Sequence, residues 1–217
     1  MTNHFMRDLG ELAEHMLQVS SLCEEAFRKS IDSILARDVE SAREVVAGDE
    51  AIDDLEVMLE EEALKILALH APVAGDLRFI VAAIKINNDL ERIADIAANI
   101  AKRTIDLERL PATTPPEHFD DMAQQTRTMV RETMQALIHR DADRARALMA
   151  LDDKVDDLNR EILAQIEGRM SEEPDAIPAL MRWANVVRLV ERIADYATNI
   201  AEDIIYMEEG EIVRHGN

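Results

Sequence analysis

Carboxylates recur along this chain in pairs four residues apart. Glu91 and Asp95 form one pair, and Glu191 and Asp195 repeat it far downstream. Asp49 and Asp53 form another, with Glu56 three residues on. Asp152 and Asp156 match them, with Asn159 where Glu56 stood. On a helix, i and i+4 share a face, so each pair can turn four oxygens toward one point. If the helices carrying these pairs lie antiparallel, two sites arise. Asp49 and Asp53 join Glu91 and Asp95 in one; Asp152 and Asp156 join Glu191 and Asp195 in the other. Oxygen-only donors suit divalent or trivalent cations such as Mg, Ca, Mn or iron better than zinc or copper. Without a cation, like charges at this spacing oppose one another by a few tenths of a kcal/mol per pair, roughly. The plainer reading is a solvated acidic face, with Arg92 and Arg192 as counter-charges. Recurrence of the whole pattern at aligned positions favours the metal reading. Asn99 and Asn199 fit a ligand role and an interhelical hydrogen-bonding role equally well.

Other chemistries find no residues to carry them. A ferritin-type di-iron oxidase needs Glu-x-x-His on two helices, and that spacing does not occur. His4, His70, His118, His139 and His215 fall near expected helix ends or termini, where a histidine serves the surface or the last turn. The chain has no phosphate-cradling glycine loop, no Gly-x-Ser-x-Gly and no zinc cluster. Cys23 is the one cysteine and lies among apolar residues, so it reads as a buried structural thiol. No nucleophile and base stand together, and the expectation is a protein that is not an enzyme.

The charge balance narrows the partners. With 45 acidic and 24 basic residues and a net charge of −21, the chain lacks the positive surface that nucleic acids or anionic lipid require. Cations, or a basic patch on another protein, are the fitting partners; solubility alone is the simpler account. The first residues lack the apolar core of a signal peptide, and no run approaches the ~18 apolar residues of a membrane span. A lone cysteine suits a reducing compartment. Together these predict a cytoplasmic protein that reaches the membrane only through partners. A homodimer is compatible with the sequence.

The elements that must hold the acids are helices. Aromatics are 3% of the chain, and the apolar residues are mainly Ala, Leu, Ile, Val and the 11 Met, a palette for helix-on-helix packing. Leu9, Leu12, Met16, Val19, Cys23 and Ala26 recur at spacings of three and four, which predicts a first helix over about 6–36. Asp38 serves as N-cap of a second, which reaches about residue 70 and ends before Pro72. A third spans about 76–106. The Pro-rich stretch Leu110 to Pro116 follows, with Thr114 and Pro115 in the form of an N-cap and first-turn proline. Helices over about 117–139, 141–170 and 174–209 complete the chain. Thirty residues make a helix of ~45 Å, a bundle length. Leu90, Ile93, Ala97 and Ile100 share one side of the third helix. Glu91 and Asp95 fall at the rim of that stripe beside Ala94 and Ala98, small residues that leave space.

The second half repeats the first. Residues 90–101 and 190–201 are identical at nine of twelve positions. Arg37-Asp38 matches Arg140-Asp141, and Asp49, Asp53, Asp54 and Leu55 match Asp152, Asp156, Asp157 and Leu158. The offset shrinks by three between the second and third helices, so the loop there is shorter in the second copy. The pattern predicts an all-α fold of two tandem three-helix bundles, residues 1–107 and 117–217, joined by a linker at 108–116.

Leu90-Glu91-Arg92-Ile93-Ala94-Asp95 and Val190-Glu191-Arg192-Ile193-Ala194-Asp195, each followed by Asn-Ile-Ala, resemble the doubled signature of the PhoU family of phosphate-transport regulators. Gly48-Asp49 through Asp53, and Pro72-Val73-Ala74-Gly75-Asp76-Leu77-Arg78, resemble it too. The likeness runs over nearly the whole chain. The family carries Gly at the positions of Ala94 and Ala194, and the second copy has no counterpart of Asp76-Leu77-Arg78. The resemblance implies two three-helix bundles, with multinuclear iron or other metal clusters on the acid motifs of some members. It implies a negative regulator of phosphate-starvation signalling and phosphate uptake, working through the phosphate ABC transporter's ATPase subunit and a sensor histidine kinase. From other classes, a metal-free helical adaptor and a helical carboxylate metal store or metalloenzyme remain as alternatives.

Overall fold

Apolar side chains at three- and four-residue spacing build long amphipathic helices that must bury one face each. The computed structural model describes residues 3–211, and among these it contains six α-helices and no strand. They are α1 (Asn3–Ala36), α2 (Val39–His70), α3 (Ala74–Glu108), α4 (Phe119–His139), α5 (Ala142–Glu172) and α6 (Ile177–Glu209), with a 3-10 turn (Pro174–Ala176) leading into α6. None is long and apolar enough to cross a membrane. Asp38 caps α2, accepting the N–H groups of Glu40 and Ser41 at 3.1 Å each, and Asp141 caps α5 through Arg144 at 2.9 Å.

The start of α4 differs from the sequence expectation. The chain stays irregular through Pro116 and turns at Glu117 and His118, so α4 begins at Phe119 with no side-chain cap. Thr114 and Pro115 each precede a proline, which disfavours helical backbone at both. Packing then sets the first turn: Phe119 is fully buried, with its ring edge-on to Trp183 at 5.1 Å. The sixth helix differs too, its expected first turn at Pro174 being 3-10. As the shrinking offset predicts, Glu173 alone separates α5 from that turn, whereas residues 71–73 separate α2 from α3.

α1, α2 and α3 pack into one three-helix bundle and α4, α5 and α6 into another. The bundles lie side by side because α3 also packs on α6 and α1 on α4, and one hydrophobic cluster runs through both repeats from Phe5 to Met207. α3 and α6 are antiparallel. Lys85, early in α3, donates to Asp203, late in α6, at 2.7 Å; Arg182, early in α6, stands 3.9 Å from Asp106, late in α3. Between these ties Ala94, Ala97, Ala101, Ala194, Ala197 and Ala201 are all buried. At Cys23 the thiol is fully buried and donates to the Leu90 carbonyl at 3.2 Å; burial pushes its pKa up, which leaves it the structural thiol expected.

Ala71 closes α2 in the left-handed region, φ 43°, where a Cβ crowds the following carbonyl. Ala71→Gly is therefore expected to stabilise the protein by about 1 kcal/mol in a urea titration, since glycine relieves that strain.

Candidate metal centres

A three-residue turn makes α2 and α3 antiparallel, and Asn87 pins their register by donating to the Glu56 carbonyl at 2.8 Å. Counting back along α2 and forward along α3 from that tie, Asp53 comes opposite Glu91 and Asp49 opposite Asp95. Both helices keep their apolar stripes in the core: Ile52, Leu59, Leu90, Ile93 and Ile100 are buried. The acids lie at the rim, as the wheel of the third helix requires. Glu91 and Asp95 are half-buried; Asp49 is half-buried and Asp53 exposed. Ala94 and Ala98, expected to leave space, are instead covered by neighbouring helices.

The electrostatics show that these groups share one field. Burial raises the Asp49 carboxyl above its ordinary pKa, and Asp53 and Asp95 raise it further. Burial also raises Glu91; Arg92 partly offsets this, and Asp95, Asp53 and Glu56 add to it. Arg92 Nε stands 3.4 Å from the Glu91 carboxylate, yet Glu91 stays raised, so one arginine does not neutralise the cluster. Asn99 donates to Asp95 at 3.4 Å within α3, bracing that ligand candidate along its own helix.

The second repeat rebuilds the arrangement on α5 and α6. Burial raises Asp152, with Asp156 adding to it, and raises Glu191, with Asp156 and Asp152 adding. Asp195 is pushed up to about 6 by burial and by Glu191, Asp152 and Asp156. Thr198 stands near enough to Asp152 to favour its charged form without meeting full hydrogen-bond geometry. Oδ1 of Asp152, Oδ1 of Asn159 and Oγ1 of Thr198 are all buried without a partner. Two orphaned oxygens, of Asn159 and Thr198, together with four carboxylates suit a hard cation by donor type and charge. The side chains are not drawn in around such an ion: no three Asp, Glu, His or Cys among the described residues converge closely enough to hold a metal as they stand.

Sequence reasoning missed Asp89. It lines a cavity of about 580 Å³ between α3 and α6 with Lys85, Asn88, Asn199, Glu202 and Asp203. Burial and the facing Asp203 push it up to about 6. Asn199, Glu202 and Asp203 come from the other repeat, and no spacing along the chain announces them. Of the histidines, His70, His118 and His139 sit at helix ends as expected, whereas His15, within α1, bonds Glu62 at 2.7 Å; His215 lies outside the described residues.

The duplicated three-helix scaffold has counterparts among known proteins. A family profile described as PhoU domain matches residues 7–104 and again 119–204, one match per repeat. The chain belongs to the PhoU family. The phosphate-specific transport system accessory protein PhoU homolog of Aquifex aeolicus is 38% identical over 209 residues, which is 96% of this chain and 95% of that protein. The crystal structure of PhoU from Pseudomonas aeruginosa superposes with a TM-score of 0.90 at 32% identity, covering 95% of this chain and 100% of that one. The phosphate transport system regulatory protein PhoU from Streptococcus pneumoniae gives 0.89 at 29% identity, covering 97% and 100%.

Asp195 holds its proton more tightly folded than unfolded, since its pKa of about 6 lies above the ordinary carboxylate value of about 4. Its contribution to stability is present at low pH and is lost as pH rises through about 6. In chelator-treated protein, Asp195→Asn should therefore gain on the parent in melting temperature between about pH 4 and 6, the span between those two values, and keep that gain above it. A constant difference across that span would show that Asp195 carries no raised pKa.

Proposed function

We propose that this chain restrains phosphate-starvation signalling and phosphate uptake from the cytoplasmic face of the membrane. It acts on the phosphate ABC transporter's ATPase subunit and a sensor histidine kinase. The observation that carries the reading is end-to-end likeness. Both repeats match the PhoU domain, and relatives that cover nearly the whole chain are named accessory proteins of phosphate-specific transport. The charge of −21 supports a basic surface on the partner, so the complex should weaken as salt rises.

Within that role, Asp49, Asp53, Glu91 and Asp95 hold cations in the first repeat, and Asp152, Asp156, Glu191 and Asp195 hold them in the second. Iron, Mg, Mn and Ca all fit the donors. The ion supplies positive charge that turns mutual repulsion into cross-linking of two helices. The competing reading, a solvated acidic surface, draws on the Arg92–Glu91 contact.

Deletion of the gene should leave phosphate-uptake genes expressed in phosphate-rich medium; normal repression in the deletion strain contradicts the regulatory role. For the metal, saturation at a hundred times Kd stabilises by about 2.7 kcal/mol, so chelation should lower the melting temperature by several degrees. The D95N/D195N double variant should lose that sensitivity. A double variant more stable than the parent in metal-replete buffer means that the acids only repel one another.

A further inference from the structure

One end of the first repeat exposes apolar side chains that its duplicate does not. There the α2–α3 turn meets the start of α1 and the end of α4, and two grooves adjoin. One, of about 420 Å³, is lined by Phe5, Leu69, His70, Pro72 and Val73; the other, of about 400 Å³, is lined by Met6, Leu9, Leu17, Phe79 and Ile138; Asp76 belongs to both. Leu69 is 65% exposed, Val73 74% and Met6 53%. We propose that this end is a docking surface for a partner's basic amphipathic helix, which lays apolar side chains into the two grooves and a Lys or Arg on Asp76 between them.

Three observations argue that the patch serves a partner and not the fold. The first is the comparison of the repeats. By the register of the carboxylates, Leu69 aligns with Glu172, and the second repeat's turn reads Glu172-Glu173-Pro174-Asp175, every residue exposed. A packing requirement of the three-helix unit would act on both copies. The second is local cost. Val73 occupies the N-cap of α3 with no side-chain cap bond; α6 also lacks one, at Ala176, but only α3 places a large apolar side chain there, and it is 74% exposed. Ala71 and Ala74 flank it with positive φ. The third is charge. Asp76 forms no ion pair among the described residues, while the neighbouring Arg140 is engaged by Glu208 at 2.5 Å and lies over the Phe79 ring. Asp76 thus offers a carboxylate that no basic side chain pairs among the described residues. Two copies of this chain, each at −21, repel one another, which sets a second copy behind a basic partner. Apolar anchors spaced along a helix, with one charge pair fixing register, follow the helix-in-groove mode of recognition.

This inference rests on the reading that the chain works through protein partners, and the test separates the two. The full chain is titrated with the purified ATPase subunit of the same cell's phosphate transporter, by calorimetry, at low and at high salt. The L69E/V73E variant gives the first repeat the charge of the second; Met6→Glu probes the other groove should that variant misfold. Each is expected to weaken binding at least tenfold with an unchanged melting temperature. Asp76→Asn is expected to weaken it less and to reduce its salt dependence. Parent and variants binding alike overturns the docking surface and leaves the proposed function standing. No binding by the parent overturns the surface as stated, and the deletion phenotype then judges the function independently. A concentration-dependent dimer of the parent in sedimentation, lost in L69E/V73E, makes the patch an interface between copies and overturns the proposal.

Discussion

Helices α3 and α6 each pack against three other helices, and that crowding governs the side chains the rest of the molecule can use. A helix enclosed on three sides buries most of its circumference, and neighbouring backbones approach closely only across small residues. Hence the alanines: Ala82, Ala83, Ala94, Ala97, Ala98 and Ala101 on α3, and Ala194, Ala197 and Ala201 on α6, all buried. The methyls of Ala94 and Ala194 are accommodated in the core. The seam also makes the duplication one molecule, because a single apolar cluster spans both repeats.

Enclosure leaves each of these helices a narrow outward strip, and the carboxylates occupy its edge. They sit deep enough for burial to raise their pKa values and close enough to raise one another's. Such a grouping works against the fold at neutral pH. Its presence twice, on equivalent helices, asks for a compensating charge that Arg92 and Arg192 supply only in part. The proposed cations are one source of that charge. The inter-repeat cavity holding Asp89, by contrast, contains its own cation, Lys85, bonded to Asp203.

The repeats agree where packing decides and diverge where it does not. Buried Ile93 and Ile193, Ala97 and Ala197, Ile100 and Ile200 are the same residues in both. Outer positions are free to differ, and Leu69 against Glu172 is the sharpest case. A duplicated chain thus carries its own control: buried apolar positions common to both halves follow from packing, and an exposed apolar patch found in one half is not a packing requirement of the three-helix unit.

Periodicity, the Asp38 and Asp141 caps, the repeat and the acid pairs were legible in the residues because each is a short-range property. A helix sets i against i+4 wherever it forms, so Glu91 with Asp95 and Glu191 with Asp195 needed no tertiary knowledge. An antiparallel hairpin with a short loop then brings Asp49 and Asp53 to them. The start of α4 was misread because Thr114-Pro115 has a cap's form, while the second proline and the burial of Phe119 against Trp183 place the helix further on. Asp89 was invisible, since the Asp203 that faces it comes from α6, more than a hundred residues away. The helices, their duplication and the pairing of acids along each helix are all readable from residue spacing, because they follow from local backbone geometry. Which helices share the seam, how deeply each carboxylate is buried and which apolar side chains stay uncovered depend on the neighbours that packing brings to each side chain, and residue spacing does not carry that information.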